Sequence, residues 1–156
     1  MNHYNDEICM RYAINLAKYA ESKGEVPVGS ILVLNGSIIG EGWNCSIEHC
    51  DPVAHAEIIA LQSGAAQIGN YRLLKATLYV TMEPCVMCAG AMIQARISRL
   101  VFGAKSEKTG AAGSLLNVFN YPNLNHQIKL TGDVLSQDCS NQLSNFFRQR
   151  RRKNSF

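Results

Sequence analysis

The stretch ATLYVTMEPCVMCAGAMIQARISRLVFGA, residues 76–104, decides the fold. It begins with ATLYVTM (76–82), an apolar run with β-branched and aromatic residues that predicts a buried strand. The segment CVMCAGAMIQA predicts a helix, and SRLVFGA (98–104) predicts a second strand. Strands joined by a helix can run parallel in one sheet through a right-handed crossover. This strand–helix–strand unit therefore predicts an α/β protein.

The segments before this unit add a hairpin and two helices. VGSILVL and SIIGEGW are rich in strand-forming residues and flank Asn35-Gly36, a strong hairpin signal, so these strands are expected to be antiparallel. A second helix is predicted within DPVAHAEIIALQSGAAQI, which Asp51 and Pro52 introduce. A first helix is predicted over about residues 3–21, because apolar residues recur there at helical spacing: Ile8, Tyr12, Leu16 and Tyr19.

The segments after the unit complete the prediction. KTGAAGS (108–114) predicts a loop, QIKLTG predicts a short fifth strand, and residues 136–152 predict a last amphipathic helix. Elements in this order imply a three-layer α/β/α fold, in which helices cover both faces of a five-stranded mixed sheet. The chain contains no repeat, low-complexity tract or linker, so a single domain over residues 1–156 is expected.

Composition narrows the class of protein. With 47% apolar and 17% charged residues among 156, the chain is expected to be globular. The start, MNHYNDEICM, lacks the apolar region of a signal peptide, and no apolar run approaches the roughly 20 residues that span a membrane. These features predict a soluble cytoplasmic protein without a membrane partner. In that reducing compartment the six cysteines are not expected to form disulfides.

The net charge of +3 is modest, but positively charged residues are concentrated near the C-terminal end of the chain. One interpretation is an electrostatic contact for phosphates, and the other is a solvated tail that aids solubility. Its cations lie within the segment FFRQRRRKNSF: Arg148, Arg150, Arg151, Arg152 and Lys153.

A metal site is suggested by Cys85 and Cys88, whose spacing brings both sulfurs to one face of a helix. A nearby helix N-terminus favours thiolates, which zinc prefers. Alone, the pair is ambiguous between half of a structural zinc site, a redox dithiol and two buried cysteines, although a redox pair is expected directly after a first strand. Cys45 and Cys50 form no second pair of this kind, whereas His55 offers a third ligand. Three protein ligands and one open position are typical of catalytic zinc.

Glu57 gives this arrangement a chemical use, because a carboxylate beside an activated water can transfer its proton. Residues two apart on an α-helix point about 200° away from each other. His55 and Glu57 can therefore face one pocket only if the regular helix begins close to His55, later than Asp51-Pro52 suggests. The combination His-x-Glu and Pro-Cys-x-x-Cys is the signature of zinc deaminases.

Segments along nearly the whole chain resemble one family, the bacterial tRNA-specific adenosine deaminases. They are EVPVGSILV, GEGWN, DPVAHAEI, NYRLLKATLYVTMEPCVMCAGAMIQARISRLVFGAKSEKTGAAGSL and FFRQRRRK. The resemblance implies a cytidine-deaminase-like fold, a homodimer and one Zn²⁺ per subunit. It also implies a reaction: hydrolytic deamination of the wobble adenosine in an arginine tRNA anticodon stem-loop to inosine, with zinc-activated water and a glutamate proton shuttle.

The resemblance also implies roles for individual residues. Glu57 is expected to be the catalytic proton shuttle, and Asn44 and the Ala56 N–H are expected to bind the target nucleoside. Where the best-known members carry an aspartate, this chain has Ser106, which separates it from them at an RNA-contacting loop. The expected zinc ligands are His55, Cys85 and Cys88. The expected RNA contacts, with packing of the last helix as the alternative for the phenylalanine, are Lys105, Lys108, Phe147, Arg148 and Arg150.

Two other functions are compatible with part of this pattern. A deaminase of free guanine, cytosine or deoxycytidylate would have the same zinc site, but a free base has no phosphates for the basic C-terminus to bind. A non-catalytic RNA-binding module with structural zinc would have no use for the carboxylate of Glu57.

Overall fold

The computed structural model describes residues 5–154. The described helices are α1 (Asp6–Ser22), α2 (Ala56–Ile68), α3 (Val86–Ala95) and α4 (Ser136–Lys153), with one 3₁₀ turn at Val118–Asn120. The strands are β1 (Gly29–Leu34), β2 (Ser37–Trp43), β3 (Thr77–Met82), β4 (Arg99–Ala104) and β5 (Lys129–Thr131). The expected α/β fold with a five-stranded mixed sheet is confirmed.

The sheet has the strand order β2-β1-β3-β4-β5. β1 pairs antiparallel with both β2 and β3, whereas β3, β4 and β5 are parallel. Asn35 and Gly36 connect β1 to β2 with φ angles of 51° and 76°, and the positive values suit a tight hairpin turn. The parallel pair β3 and β4, joined by α3, is the strand–helix–strand unit that the sequence predicts.

The helices cover opposite faces of the sheet. In β2, Trp43 contacts Tyr19 of α1, whereas its neighbour Gly42 faces α2. α4 lies beside α1. Asp138 of α4 pairs with Arg11, and Gln142, one turn later, donates to the carbonyl of Ile14, so the two helices run parallel. α2 and α3 pack together on the other face. Both faces bury apolar side chains of the central strands, such as Ile31, Leu32, Leu78, Val80, Leu100 and Val101.

Two glycines let α2 lie directly against the sheet. A Cβ at Gly40 would collide with the carbonyl oxygen of Ala60, and a Cβ at Gly42 would collide with that of Ala56. Backbone therefore packs on backbone along β2. This close contact fixes the start of α2, where His55 and Glu57 lie.

The buried face of α1 differs from the pattern of large residues that predicts this helix. Ile8, Tyr12 and Tyr19 are exposed. Mostly small residues are buried instead, and the alanines among them allow the backbone of α1 to approach Gly29 of β1. The helix begins at Asp6, and the Asn5 side chain accepts the Ile8 N–H at 2.8 Å as a cap. Residues 3 and 4, the predicted start, lie outside the described residues. The buried residues of α1 are Cys9, Met10, Ala13, Ala17 and Ala20.

The starts of α2 and α3 matter for the site. α2 begins at Ala56, and its N-cap His55 has extended backbone with φ −76° and ψ 154°, so the predicted late start is confirmed. α3 begins at Val86 with Cys85 as its N-cap. The helix predicted over CVMCAGAMIQA therefore begins one residue later than its first cysteine, since the extended backbone of Cys85 still precedes the helix.

Among residues 5–154, no helix combines the length and the apolar character that a bilayer-spanning segment requires.

Candidate metal and catalytic site

Three predicted zinc ligands come together at one point. His55 Nδ1 lies 3.6 Å from the Cys85 sulfur and 3.5 Å from the Cys88 sulfur. The three donor atoms all lie within 4.8 Å of one another. Tetrahedral zinc with ordinary bond lengths separates a nitrogen and a sulfur ligand by about 3.6 Å. The distances and the donor types therefore fit a zinc ion held by three protein ligands.

The N-termini of two helices create this meeting point. His55 is the N-cap of α2 and Cys85 is the N-cap of α3, yet neither side chain caps its own helix. Both side chains are turned towards each other instead. The positive ends of the helices stabilise negative charge, which favours thiolate ligands. The third predicted ligand, Cys88, is buried in the first turn of α3.

The three donors also perturb one another. The Cys88 sulfur and then the His55 ring lower the pKa of Cys85 to about 3, although burial opposes this. The Cys85 sulfur in turn raises the pKa of His55 above its usual range. The pair of cysteines therefore presents one sulfur as a thiolate, the form that binds a soft dication.

Glu57 lies beside this set in the first turn of α2 and is only 4% exposed. Burial raises the pKa of its carboxyl group above the usual range. Because His55 precedes the helix and Glu57 lies within it, both side chains line one cavity of about 180 Å³. Drug-sized ligands occupy sites of roughly 300–1,000 Å³, so this cavity suits a single heterocyclic base. Its lining is Val26, Val28, Asn44, His55, Glu57, Met82, Glu83, Cys85 and Thr109.

Asn44 and Ala56, the predicted nucleoside contacts, are linked to each other. Asn44 Oδ1 accepts the Ala56 N–H at 2.9 Å, which fixes the side chain of Asn44 at the cavity wall. The Ala56 N–H is therefore engaged by protein, and Ala56 contributes by orienting Asn44.

A basic groove of about 630 Å³ adjoins the cavity, since Met82 and Thr109 line both. It contains three of the five predicted RNA contacts and adds Arg151. Phe147 is 40% exposed there, whereas its neighbour Phe146 is buried. The lining residues of the groove are Met82, Ser106, Glu107, Lys108, Thr109, Ser144, Phe147, Arg148 and Arg151.

The other two predicted RNA contacts are engaged elsewhere. Lys105 forms an exposed ion pair with Asp133 at 3.7 Å and does not line the groove. The Arg150 guanidinium lies 5.5 Å from the centre of the Phe146 ring. Lys105 and Arg150 therefore lie outside the lining of the groove, and their contact with RNA stays a prediction.

Sequence reasoning missed two buried carboxylates: Glu83, which lines the cavity, and Glu25, which precedes the lining residue Val26 in the chain. Glu83 accepts hydrogen bonds from the loop that follows β4, and Glu25 accepts the N–H groups of Ile47 and Glu48 at 3.0 and 2.9 Å. Burial opposes ionisation of Glu83, but the Ser114 hydroxyl and three backbone N–H groups hold its pKa below the usual range. For Glu83, the sequence did carry a signal, because an acidic residue directly follows the apolar strand ATLYVTM.

The Ser106 side chain, at the position where the family resemblance breaks, points inward. It is buried, and its hydroxyl lies 2.8 Å from that of Thr109. Ser106 therefore supports the wall between the cavity and the basic groove.

Residues 3–104 match the cytidine and deoxycytidylate deaminase zinc-binding region. The chain belongs to this deaminase family. Among relatives of this deaminase, the tRNA-specific adenosine deaminase of Haemophilus influenzae is 58% identical, over 94% of this chain and 85% of the relative. The Bacillus subtilis tRNA-specific adenosine deaminase is 45% identical, over 95% of this chain and 92% of the relative.

Solved structures of deaminases are also similar to this chain. One, from a study of A-to-I editing by tRNA:A34 deaminases at the wobble position, matches this deaminase with a TM-score of 0.84 and 38% identity. That match covers 86% of this chain and 98% of the other. A guanine deaminase from Nitrosomonas europaea matches with a TM-score of 0.76 and 25% identity, over 90% and 83% of the two chains. The expected family, enzyme class and zinc are confirmed, whereas the roles of individual residues stay predictions.

Proposed function

We propose that this deaminase converts adenosine to inosine by hydrolysis at the wobble position of tRNA, in the anticodon stem-loop of an arginine tRNA. One observation carries the proposal: a base-sized cavity with a buried carboxylate beside three zinc donors adjoins a basic groove. The relatives named tRNA-specific adenosine deaminases support the same substrate. The whole of residues 1–156 would act as one domain, in the cytoplasm, where tRNA is available.

The zinc held by His55, Cys85 and Cys88 would supply a nucleophilic water at neutral pH, by lowering the pKa of water from 15.7 to roughly 7. Glu57 lies in the same cavity and would move the protons. It takes a proton from the water and gives it to N1 of adenine as the oxygen bonds to C6. It would then take the remaining proton of that oxygen and give it to the amine, so that the C6=O bond forms as the C6–N6 bond breaks and ammonia leaves. Adenosine and water thus become inosine and ammonia.

The remaining cavity residues would orient the base. Asn44 is held by the Ala56 N–H, so its amide nitrogen presents donors in a fixed direction. Val26 and Val28 provide an apolar wall for the flat ring. A base within a duplex cannot reach such a cavity, so the substrate would be a loop nucleotide turned out of its stack.

The basic groove would bind the nucleotides that flank the target. Lys108, Arg148 and Arg151 can contact phosphates, and the exposed part of Phe147 can stack on a neighbouring base. Free guanine offers neither phosphates nor neighbouring bases. The groove therefore favours an RNA substrate over a free base.

A homodimer through the α2 and α3 face is part of this proposal. An apolar hollow of about 460 Å³ lies between these helices, and Tyr71 at its rim is 71% exposed. Val53, Leu74 and Val86 are also exposed. Apolar patches of this kind mark interaction surfaces, and a second copy of the chain is the occupant that the family resemblance implies.

The test is to incubate the zinc-loaded protein with an adenosine-34 anticodon stem-loop, the same loop carrying guanosine, and free guanine or cytosine. We expect inosine in the first RNA and equimolar ammonia, with no turnover of the other three. Ammonia from a free base without inosine in the RNA would refute the tRNA substrate and favour the free-base alternative, for which the guanine deaminase structure is the precedent.

A further inference from the structure

The carboxylate of Glu83 is bound entirely by one loop. Glu83 lies between β3 and α3 and is 2% exposed. Its Oε1 accepts the Ser106 N–H at 3.1 Å and the Ser114 hydroxyl. Its Oε2 accepts the N–H groups of Ala112 at 2.9 Å and Ser114 at 3.1 Å. All four donors belong to the 106–114 loop.

These hydrogen bonds assign Glu83 a different role from Glu57. A carboxylate has about four acceptor positions, and the 106–114 loop occupies four. Glu83 is also outside the set of donors that could hold the metal. It therefore has no capacity left for substrate or metal, and its negative charge stabilises the loop conformation alone.

The 106–114 loop is wrapped closely around this carboxylate. A Cβ at Gly110 would collide with the Glu83 side chain and with the Ser106 carbonyl oxygen. The Gly110 N–H donates to that carbonyl at 2.8 Å, and the Ala111 N–H donates to the Pro84 carbonyl at 2.8 Å. The last contact ties the loop to the residue before Cys85.

The same loop forms the boundary between the cavity and the basic groove. Thr109 lines both, and Ser106 and Lys108 line the groove. The hydroxyls of Ser106 and Thr109 lie 2.8 Å apart. A shift of the loop would therefore move the point at which a flipped nucleotide passes from groove to cavity.

We propose that Glu83 is a positioning residue. It holds the 106–114 loop so that the groove, which binds RNA, and the cavity, which binds the target base, keep a fixed relative position. This inference rests on the proposed tRNA deamination. It predicts a defect in RNA capture at full zinc occupancy, because the metal donors belong to other side chains.

The first measurement compares kcat, KM for the stem-loop RNA and zinc per chain in Glu83→Gln. The amide places N–H donors against the donors of the loop, so we expect KM to rise about tenfold with zinc unchanged. Ser114→Ala, which removes one donor and lies outside cavity and groove, should give a smaller rise in KM. Asp6→Asn, at the opposite end of the sheet, serves as a control for lost stability and should leave KM unchanged.

The second measurement is amide hydrogen exchange without RNA. The amides of Ser106, Ala112 and Ser114 should exchange about tenfold faster in Glu83→Gln. The amides of Ile47 and Glu48, bound by Glu25, should not change and serve as the internal control.

The outcomes separate this inference from the proposed function. An inactive wild-type enzyme would refute tRNA deamination, while exchange would still report on the loop. Unchanged exchange would show that Glu83 does not hold the loop. Faster exchange with an unchanged KM, or loss of zinc from Glu83→Gln, would also overturn the positioning role. If Glu83→Gln does not fold, an unchanged KM in Ser114→Ala overturns it instead.

Discussion

The two faces of the sheet contribute differently to the site. α2 and α3 direct their N-termini at the cavity and supply the zinc donors and Glu57. α4, on the other face, directs its C-terminal end at the same region and supplies the basic side of the groove. Cations in its last turn also complement the negative end of the helix. In the proposed function, chemistry and RNA recognition would therefore belong to different layers, which meet beyond the ends of β3 and β4.

The largest effect should come from the chemical layer. Glu57→Gln keeps the size of the side chain but removes the proton acceptor, so the rate should fall about a thousandfold or more. Zinc content and RNA affinity should stay at wild-type values, measured by metal analysis and by binding of labelled stem-loop. Wild-type turnover in this variant would remove Glu57 from the mechanism.

A second test concerns the exposed apolar surface of α2 and α3. Tyr71→Glu places a charge at the rim of the α2 and α3 hollow, so the dimer dissociation constant should rise about a hundredfold. Sedimentation velocity over a range of concentrations measures it. Ile8→Glu places the same charge on exposed α1, on the opposite face, and should leave assembly unchanged. Equal effects of the two substitutions would contradict the assignment of the interface.

The recognition layer should respond through affinity. Arg148→Ala combined with Arg151→Ala should weaken stem-loop binding about tenfold and reduce the salt dependence by about 1.5 in the log–log slope. The kcat should change little, because neither residue lines the cavity. Arg11→Ala combined with Lys18→Ala removes the same charge from the groove between α1 and α4. If this control has the same effect, net charge rather than the groove determines binding.

The smallest effect concerns the far end of the sheet, away from the cavity and the basic groove. The Arg99 guanidinium binds Asp6 at 2.9 and 2.7 Å and, together with the Tyr79 hydroxyl, lowers the pKa of Asp6. A lowered folded-state pKa gives a stabilisation that is complete above the ordinary value of 3.8 and is lost as pH falls through the folded value.

Asp6→Asn should therefore lower the free energy of unfolding by about 1 kcal/mol at pH 7. The difference from wild type should shrink between pH 4 and pH 2, measured by urea titration. Asp138→Asn, which breaks an exposed pair with Arg11 and removes the acidic residue from the first turn of α4, should have a smaller effect at pH 7. A difference that grows in acid would contradict the direction of the shift.

Local signals made much of the fold predictable. Asn35-Gly36 predicts the hairpin because the turn needs positive φ, and the His55-Glu57 spacing predicts where α2 begins. The buried face of α1 was not predictable from its large residues, because close packing on Gly29 selects small ones.

In the candidate site, the zinc donors were predictable because they occur in short motifs. The contacts of Glu83 were not, because its partners lie 23 to 31 residues away along the chain. The partner of Lys105 was equally hard to predict, because Asp133 is distant along the chain, whereas Arg150 contacts Phe146 one turn away within α4.

The bare backbone of β2 has one more consequence. Because Gly42 touches the carbonyl of Ala56, a methyl group added to the strand would displace the residue that follows His55 in the chain. A change with no donor atom of its own would then spread the three ligands apart. Weakened retention of the metal can thus arise from crowding in the sheet. Screens for zinc loss should therefore include substitutions in β2, although none of the three zinc donors lies in it.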